Sequence, residues 1–168
     1  KELAAWCKVA AGFAFSKSVK VCRFSDNMRN VAVTEGDKVE AHINLGWQVD
    51  YYPVGDLVNY VNAVTEEEVD ALMAEYKEKY TMATDRVEVV REQAKYEIAI
   101  EKFCKEKGGY IGIVDHFDAL HGLNQLPGIA IQDLQGKGYG FGAEGDWKIA
   151  ARGATMQYMA DQKCTGMM

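Results

Sequence analysis

The chain has 168 residues, 48% hydrophobic and 26% charged, a balance that suits one globular domain with a buried core. Its 25 acidic and 19 basic residues give a net charge of −6 with no basic block, which argues against a nucleic-acid footprint. No apolar run approaches the roughly 20 residues that span a membrane, and Cys7, Cys22, Cys104 and Cys164 lie far apart without a CxxC spacing, so they read as free thiols of a cytoplasmic protein.

The chain opens on Lys1 rather than Met, which leads us to expect further sequence upstream. "AAWCKVAAGFAF" is interrupted by charge and reads as an amphipathic helix, not a secretory signal. Leu3, Trp6, Val9, Ala10 and Phe13 fit helical spacing over 2–14. "VKVCRF" (19–24) is short and β-branched-rich, a strand, and the polar "SDNMRN" after it is a loop. Residues 31–46 are ambiguous: the first look extended, while Lys38–Leu45 fits a helix stopped by Gly46. "WQVDYY" (47–52) is a second strand, closed by Pro53.

Residues 54–64 are helical, with Leu57, Val58, Val61 and Val64 on one side. The next helix, 65–80, opens on the capping box Thr65-x-x-Glu68 and carries a stripe of Val69, Leu72, Met73 and Tyr76. A long amphipathic helix over 85–109 places Val87, Val90, Ala94 and Ile98 on one stripe and ends at Gly108-Gly109. "YIGIVDHF" (110–117) is a third strand, followed by a polar turn. Pro127 can open a helix, "YGFGAE" (139–144) is a fourth strand, and 146–160 is a closing helix with Asp146 as N-cap. Helices alternating with short apolar strands predict an α/β fold: a three-layer Rossmann-like, doubly wound, mostly parallel sheet flanked by helices.

Ligands of open α/β sheets gather beyond the carboxyl ends of the strands. Three such ends carry unusual residues: Asp26, Asn27, Met28 and Arg29 after the first, Asp115, His116, Phe117 and His121 after the third, and Glu144 with Asp146 after the fourth. Asp26 and Asn27 are also common turn formers, Asp146 is also a cap, and Met28 and Phe117 are of types usually found in cores. Glu144 has no neighbour in sequence to pair with, and Gly142, Ala143 and Gly145 leave room for close approach. Its function stays open at this level. One carboxylate and three scattered histidines make no visible metal site, "GFGAEG" lacks the dinucleotide-binding register, and there is neither a P-loop nor a G-x-S-x-G.

Longer stretches carry more information. "DNMRNVAVTEGDKVEA", "HFDALHGLNQLPGIA" and "GYGFGAEGDWK" are not compositionally generic. Over nearly the whole chain, least around 81–100, the sequence resembles the central part of L-arabinose isomerases. That resemblance implies metal-dependent interconversion of L-arabinose and L-ribulose, with D-galactose to D-tagatose secondary. It implies a divalent cation, usually Mn²⁺, and a homo-oligomer, commonly a hexamer, with small-molecule sugars and no nucleic acid or membrane as partners.

By the same resemblance Glu144 is both a catalytic proton-transfer group and a metal ligand, although "FGAEGDWK" swaps Gly142 and Ala143 relative to the family's usual "FAGEGDWK". Met28 and Phe117 match positions that line the sugar pocket. The remaining metal ligands, a second Glu in a "MEDYTY"-like motif and two His, would lie beyond "TGMM", and His42, His116 and His121 do not match them. The implied organisation is residues 1–17 as the end of a preceding domain, 18–162 as the central α/β domain and 163–168 as the start of a C-terminal domain. With three of four ligands outside it, the isolated chain is expected to be inactive. A sugar-binding module without catalysis and a purely structural or interaction fragment are the alternatives.

Overall fold

The structure is a computed structural model that describes residues 1–161. Cys164 and the expected domain start at 163–168 lie outside the described residues. In chain order the elements are α1 (Glu2–Ser16), β1 (Lys20–Phe24), α2 (Lys38–Leu45), β2 (Gln48–Tyr52), α3 (Val54–Asn62), α4 (Glu66–Lys79) and α5 (Val87–Lys107), followed by β3 (Gly112–Val114), α6 (Gly128–Gly136), β4 (Gly140–Gly142) and α7 (Trp147–Met159). Short 3-10 turns occupy Ala32–Thr34 and Phe117–Ala119.

The four strands form one all-parallel sheet in the order β2-β1-β3-β4. Side-chain alternation in the strands feeds two cores. On one face Cys22, Phe24 and Ile113 pack with α3, α4, α5 and α6, through Leu57, Val69, Tyr76, Ile100 and Phe103. On the other, Val19, Val21 and Val114 meet Ala41 of α2 and Trp147, Ala150 and Ala151 of α7. The arrangement is the expected three-layer, Rossmann-like α/β sandwich.

Local chemistry explains several helix ends. The Asp37 side chain accepts from the Glu40 N–H to open α2, and Gly46 closes it in a left-handed conformation (φ 79°). Thr65 and Glu68 form the capping box of α4. The Asp146 carboxylate accepts from the N–H groups of Lys148 and Ile149 at the start of α7.

Several expectations are corrected. Strands β3 and β4 each span three residues, because only three consecutive positions find partners: Val21, Cys22 and Arg23 pair with Gly112, Ile113 and Val114, which pair in turn with Gly140, Phe141 and Gly142. Tyr110, expected within the third strand, instead aims its hydroxyl at Asp50, 2.7 Å away. The segment from Ala32 forms a 3-10 turn rather than extended chain, and Pro127 precedes α6 instead of occupying its first turn. On α5, Val87 is exposed and the buried set includes Gln93 and Glu97. Most large apolar residues of α1 stay outward, with Leu3 78% and Trp6 72% exposed. Phe15 instead packs on the second core and stacks on Tyr158, while Gly12 and Ser16 are the buried residues of the helix and Gly12 packs against Met159 of α7.

Candidate functional site

Strand β1 is followed in sequence by its neighbour on one side, β2, while the chain reaches its other neighbour, β3, only after three helices. The connections therefore diverge at the carboxyl ends of β1 and β3, the kind of place where open α/β sheets form a ligand crevice. A cleft of about 590 Å³ opens there, lined by Ser25, Asn27, Met28, Arg29, His116 and His121 among others. Two larger hollows, each about 680 Å³, lie between α1 and α7 at the amino ends of β3 and β4, and between α2 and α7. The smaller cleft is the better candidate because it opens at the switch point and two strained residues, Ser25 and Asn30, line it. Met28 lines it too, whereas Glu144 and Phe117 lie on neighbouring turns and are not among its lining residues.

Four non-glycine residues among those described have positive φ, and three lie on this rim: Ser25 (71°), Asn30 (66°) and Glu144 (59°). For an L-residue such a backbone costs roughly 1 kcal/mol or more, and it persists only where the surroundings enforce it. The enforcement is visible. Ser25 donates its N–H to Tyr52 C=O (2.9 Å), and Met28 donates its N–H to Glu144 C=O (2.8 Å). The Gly145 N–H reaches Asp115 C=O (2.8 Å), and a Cβ on Gly145 would stand 2.4 Å from Asn27 Cα. Gly145 itself has φ 83°, so the turn needs glycine there both for space and for conformation.

Glu144 thus sits not on β4 but two residues past its end, in the turn that leads to Asp146 and α7. It is half-buried, and among the described residues nothing donates a hydrogen bond or offers a cation to its carboxylate. Met28 is half-buried on the loop after β1 and joined to Glu144 through the backbone. Phe117 lies in the 3-10 turn after β3, 48% exposed. Its loop is tied to the β1 loop by the 3.1 Å contact between Ser25 Oγ and His116 Nε2, so the three sequence-predicted residues occupy adjacent loops of one rim.

The floor of the rim is polar and buried. Arg23, 1% exposed, holds Asp26 at 3.1 Å and Glu35 at 3.3 Å, pinning both ends of the loop between β1 and α2. His116 is buried with Nδ1 unpartnered, and burial holds its imidazole below its ordinary value. Asp115 is half-buried with a carboxylate that has no partner among the described residues, and burial pushes it up to about 7. His42 and His121 are exposed.

Sequence reasoning missed two residues that shape this rim. Arg23 looks like a solvent-facing strand residue until its burial is known. Lys148, in the second position of α7, donates to the carbonyls of Val33 (3.0 Å), Thr34 (3.0 Å) and Glu35 (2.6 Å). The contiguous "EGDWK" was the available signal, but spacing alone does not say where a lysine reaches.

The described residues contain no group of three or more His, Cys, Asp or Glu placed to hold a metal ion. The donors present on this rim therefore do not by themselves fit a divalent cation; Glu144 offers one carboxylate, and a selective oxygen-ligand site needs several.

The fold and rim define a doubly wound α/β domain that presents a strained carboxylate, without a partner among the described residues, on the turn after its edge strand β4, bonded through the backbone to the loop at the switch point. A family model described as "L-arabinose isomerase central domain" matches residues 20–162, and the chain belongs to that family. It is 52% identical to an L-arabinose isomerase of Oceanobacillus iheyensis, over 100% of this chain and 36% of that protein. A Clostridium beijerinckii L-arabinose isomerase is 52% identical over 99% of the chain and 34% of its own length, and one from Bacillus subtilis 48% over 100% and 35%. The chain spans about a third of the length of the curated relatives it matches. Among the described residues, no helix is long and apolar enough to cross a membrane.

Proposed function

We propose that this chain is the central domain of a cytoplasmic aldose–ketose isomerase that converts L-arabinose to L-ribulose, with D-galactose to D-tagatose as a secondary reaction. The observation that carries the reading is Glu144: a half-buried carboxylate without a partner among the described residues, held at φ 59° by the Met28 amide on the switch-point rim. Strain of this kind, kept where a glycine would sit more easily, favours a functional role over a structural one.

The reaction moves a proton between two adjacent carbons of an open-chain sugar. Glu144 would take or return that proton from one side of the reacting carbons. Met28 and Phe117 would form apolar walls that limit the size and configuration of the sugar. A relay of this kind needs a second group on the other side, and a divalent cation such as Mn²⁺ would need ligands from outside this chain beside Glu144. The isolated chain is therefore inactive in this reading. Residues 18–162 form the central domain and 1–17 the end of a preceding one, a division supported by the exposed apolar residues Leu3, Trp6, Val9 and Phe13 of α1. The complete subunit would assemble as a homo-oligomer, a hexamer by the family resemblance.

The test is a graft. This chain replaces the matching segment of the O. iheyensis enzyme, and L-ribulose formation from L-arabinose is followed. The graft should turn over, and its Glu144→Gln variant should not. Retained turnover in that variant removes Glu144 from the mechanism, and turnover by the isolated 168-residue chain at a rate near the full-length enzyme removes the claim that it needs the rest.

A further inference from the structure

The Met28 loop and the Glu144 turn arise from β1 and β4, with β3 between them, so something must hold one against the other. Two of the ties are backbone: the Met28 N–H to Glu144 C=O bond, and the close approach of Gly145 to Asn27. The third is a side chain. The 3-10 turn Ala32–Thr34 ends with the carbonyls of Val33, Thr34 and Glu35 converging on one point, and the Lys148 ammonium occupies that point at 3.0, 3.0 and 2.6 Å. An ammonium has three N–H donors, so these three acceptors match its capacity.

The lysine is itself held. Its Nζ lies 3.2 Å from Asp146, the N-cap of α7, and 5.3 Å from the ring centroid of the buried Trp147. Its stem runs so close to Gly36 that a Cβ there would meet Lys148 Cδ at 3.3 Å. Arg23 holds the same loop from below through Asp26 and Glu35. Lys148 is the brace that reaches it from α7, the element that follows the Glu144 turn.

We infer that Lys148 is a positioning residue of the isomerase site: it fixes the Met28-bearing loop against the turn that aims Glu144. The inference rests on the function proposed above. Its energetic meaning is geometric, since displacement of a reacting group by about 1 Å can cost on the order of a hundredfold in rate.

The experiment uses the graft described above. Lys148→Met keeps the stem and deletes the ammonium; Lys148→Arg keeps a cation with different donor geometry. At a temperature where circular dichroism shows every variant folded, Lys148→Met should lower kcat by about tenfold or more, and Lys148→Arg should recover part of it. Lys105→Met, an exposed partner of Glu101 on α5, should leave kcat unchanged. A lower Tm for Lys148→Met with kcat per folded molecule unchanged would make the lysine merely structural and overturn the inference. The Glu144→Gln graft separates the two ideas, because its retained turnover defeats the functional reading whatever Lys148 does.

A second measurement does not depend on the graft. In this chain, Lys148→Met should speed hydrogen exchange at the Met28 amide by about tenfold or more while the β1 amides keep their protection. Unchanged protection at Met28 would show that the lysine does not hold the loop, and the inference fails.

Discussion

Glu97 and Glu144 are both carboxylates withdrawn from water, and the molecule treats them in opposite ways. Glu97, 0% exposed on α5, accepts from the Tyr76 hydroxyl of α4 and from Lys137 Nζ at 2.6 Å beyond α6. Nearby Asp133 is held by Lys79 at 3.1 Å and the Tyr80 hydroxyl at 2.8 Å. Burial pushes the Glu97 carboxyl up, while Lys137 and Tyr76 pull it back down. Every member of that network has a partner, and its members come from three helices or their ends. Glu144 has an unfavourable backbone and no side-chain partner among the described residues. A satisfied buried network ties helices together; an unsatisfied carboxylate on a braced, strained turn is held ready for something that arrives.

The largest effect that could break this contrast is catalytic. In the grafted enzyme Glu144→Gln should lower turnover by about a thousandfold, within the range of lost proton transfer. The same substitution should move the unfolding free energy of this chain by about 0.5 kcal/mol or less, because no partner is orphaned. A large loss of stability would place Glu144 with Glu97 as a structural group.

Next is Glu97→Ala, which leaves the buried Tyr76 hydroxyl without its acceptor, while Lys137 keeps Asp133 at 3.6 Å and Glu101 at 3.8 Å. It should cost about 1–3 kcal/mol in urea unfolding, the range for a buried hydrogen-bonding group left without its partner. A loss under about 1 kcal/mol would mean the network is decorative.

Smaller in size but sharper in sign is Glu144→Gly. Relief of the left-handed strain, partly offset by the freer unfolded chain, should raise stability by up to about 1 kcal/mol. A destabilised glycine variant would mean that the Glu144 side chain makes a structural contribution, and the contrast with Glu97 would weaken.

A pH slope at Asp115 extends the comparison to a third carboxylate of the fold. Its folded carboxyl titrates at about 7, above its unfolded value near 4, so between those values the folded state binds the extra proton. Stability from this group is therefore present at low pH and lost as pH rises from about 4 to about 7. Asp115→Asn should flatten that part of the stability profile, measured by urea unfolding at pH 5 and pH 7.5. An unchanged slope would mean that the carboxylate ionises freely in the fold.

Much of the architecture was legible before any coordinates. Thr65-x-x-Glu68, Asp146 and Gly46 mark helix ends because capping is local chemistry, made among residues a few positions apart. The alternation of helices with short apolar runs sufficed for a parallel sheet. Strand lengths were not legible: β3 and β4 extend only as far as neighbours in other parts of the chain can pair with them, so Tyr110 and Glu144 fall outside. Burial of Gln93 and Glu97 on α5 was equally hidden, since their partners lie on the loop before α6, on α6 itself and beyond it, some 30 to 40 residues away.

For the candidate site, the sequence by itself determined which residues are candidates and, through unusually specific runs such as "EGDWK", which family they belong to. It also fixed the short-range devices: caps, glycine stops and the closeness of Glu144 to the start of α7. The parallel-sheet reading already put the Met28, His116 and Glu144 clusters on one rim. Tertiary structure alone decided that Ser25 meets His116 there, that the Met28 amide bonds Glu144, that Arg23 is buried beneath, and that Lys148 reaches back to residues 33–35. The physical reason is range. Capping and helical periodicity act over a few residues, whereas the bonds that enforce the strain at Glu144 join residues 30 (Gly145 to Asp115) and 116 (Met28 to Glu144) positions apart, which the strand order brings together.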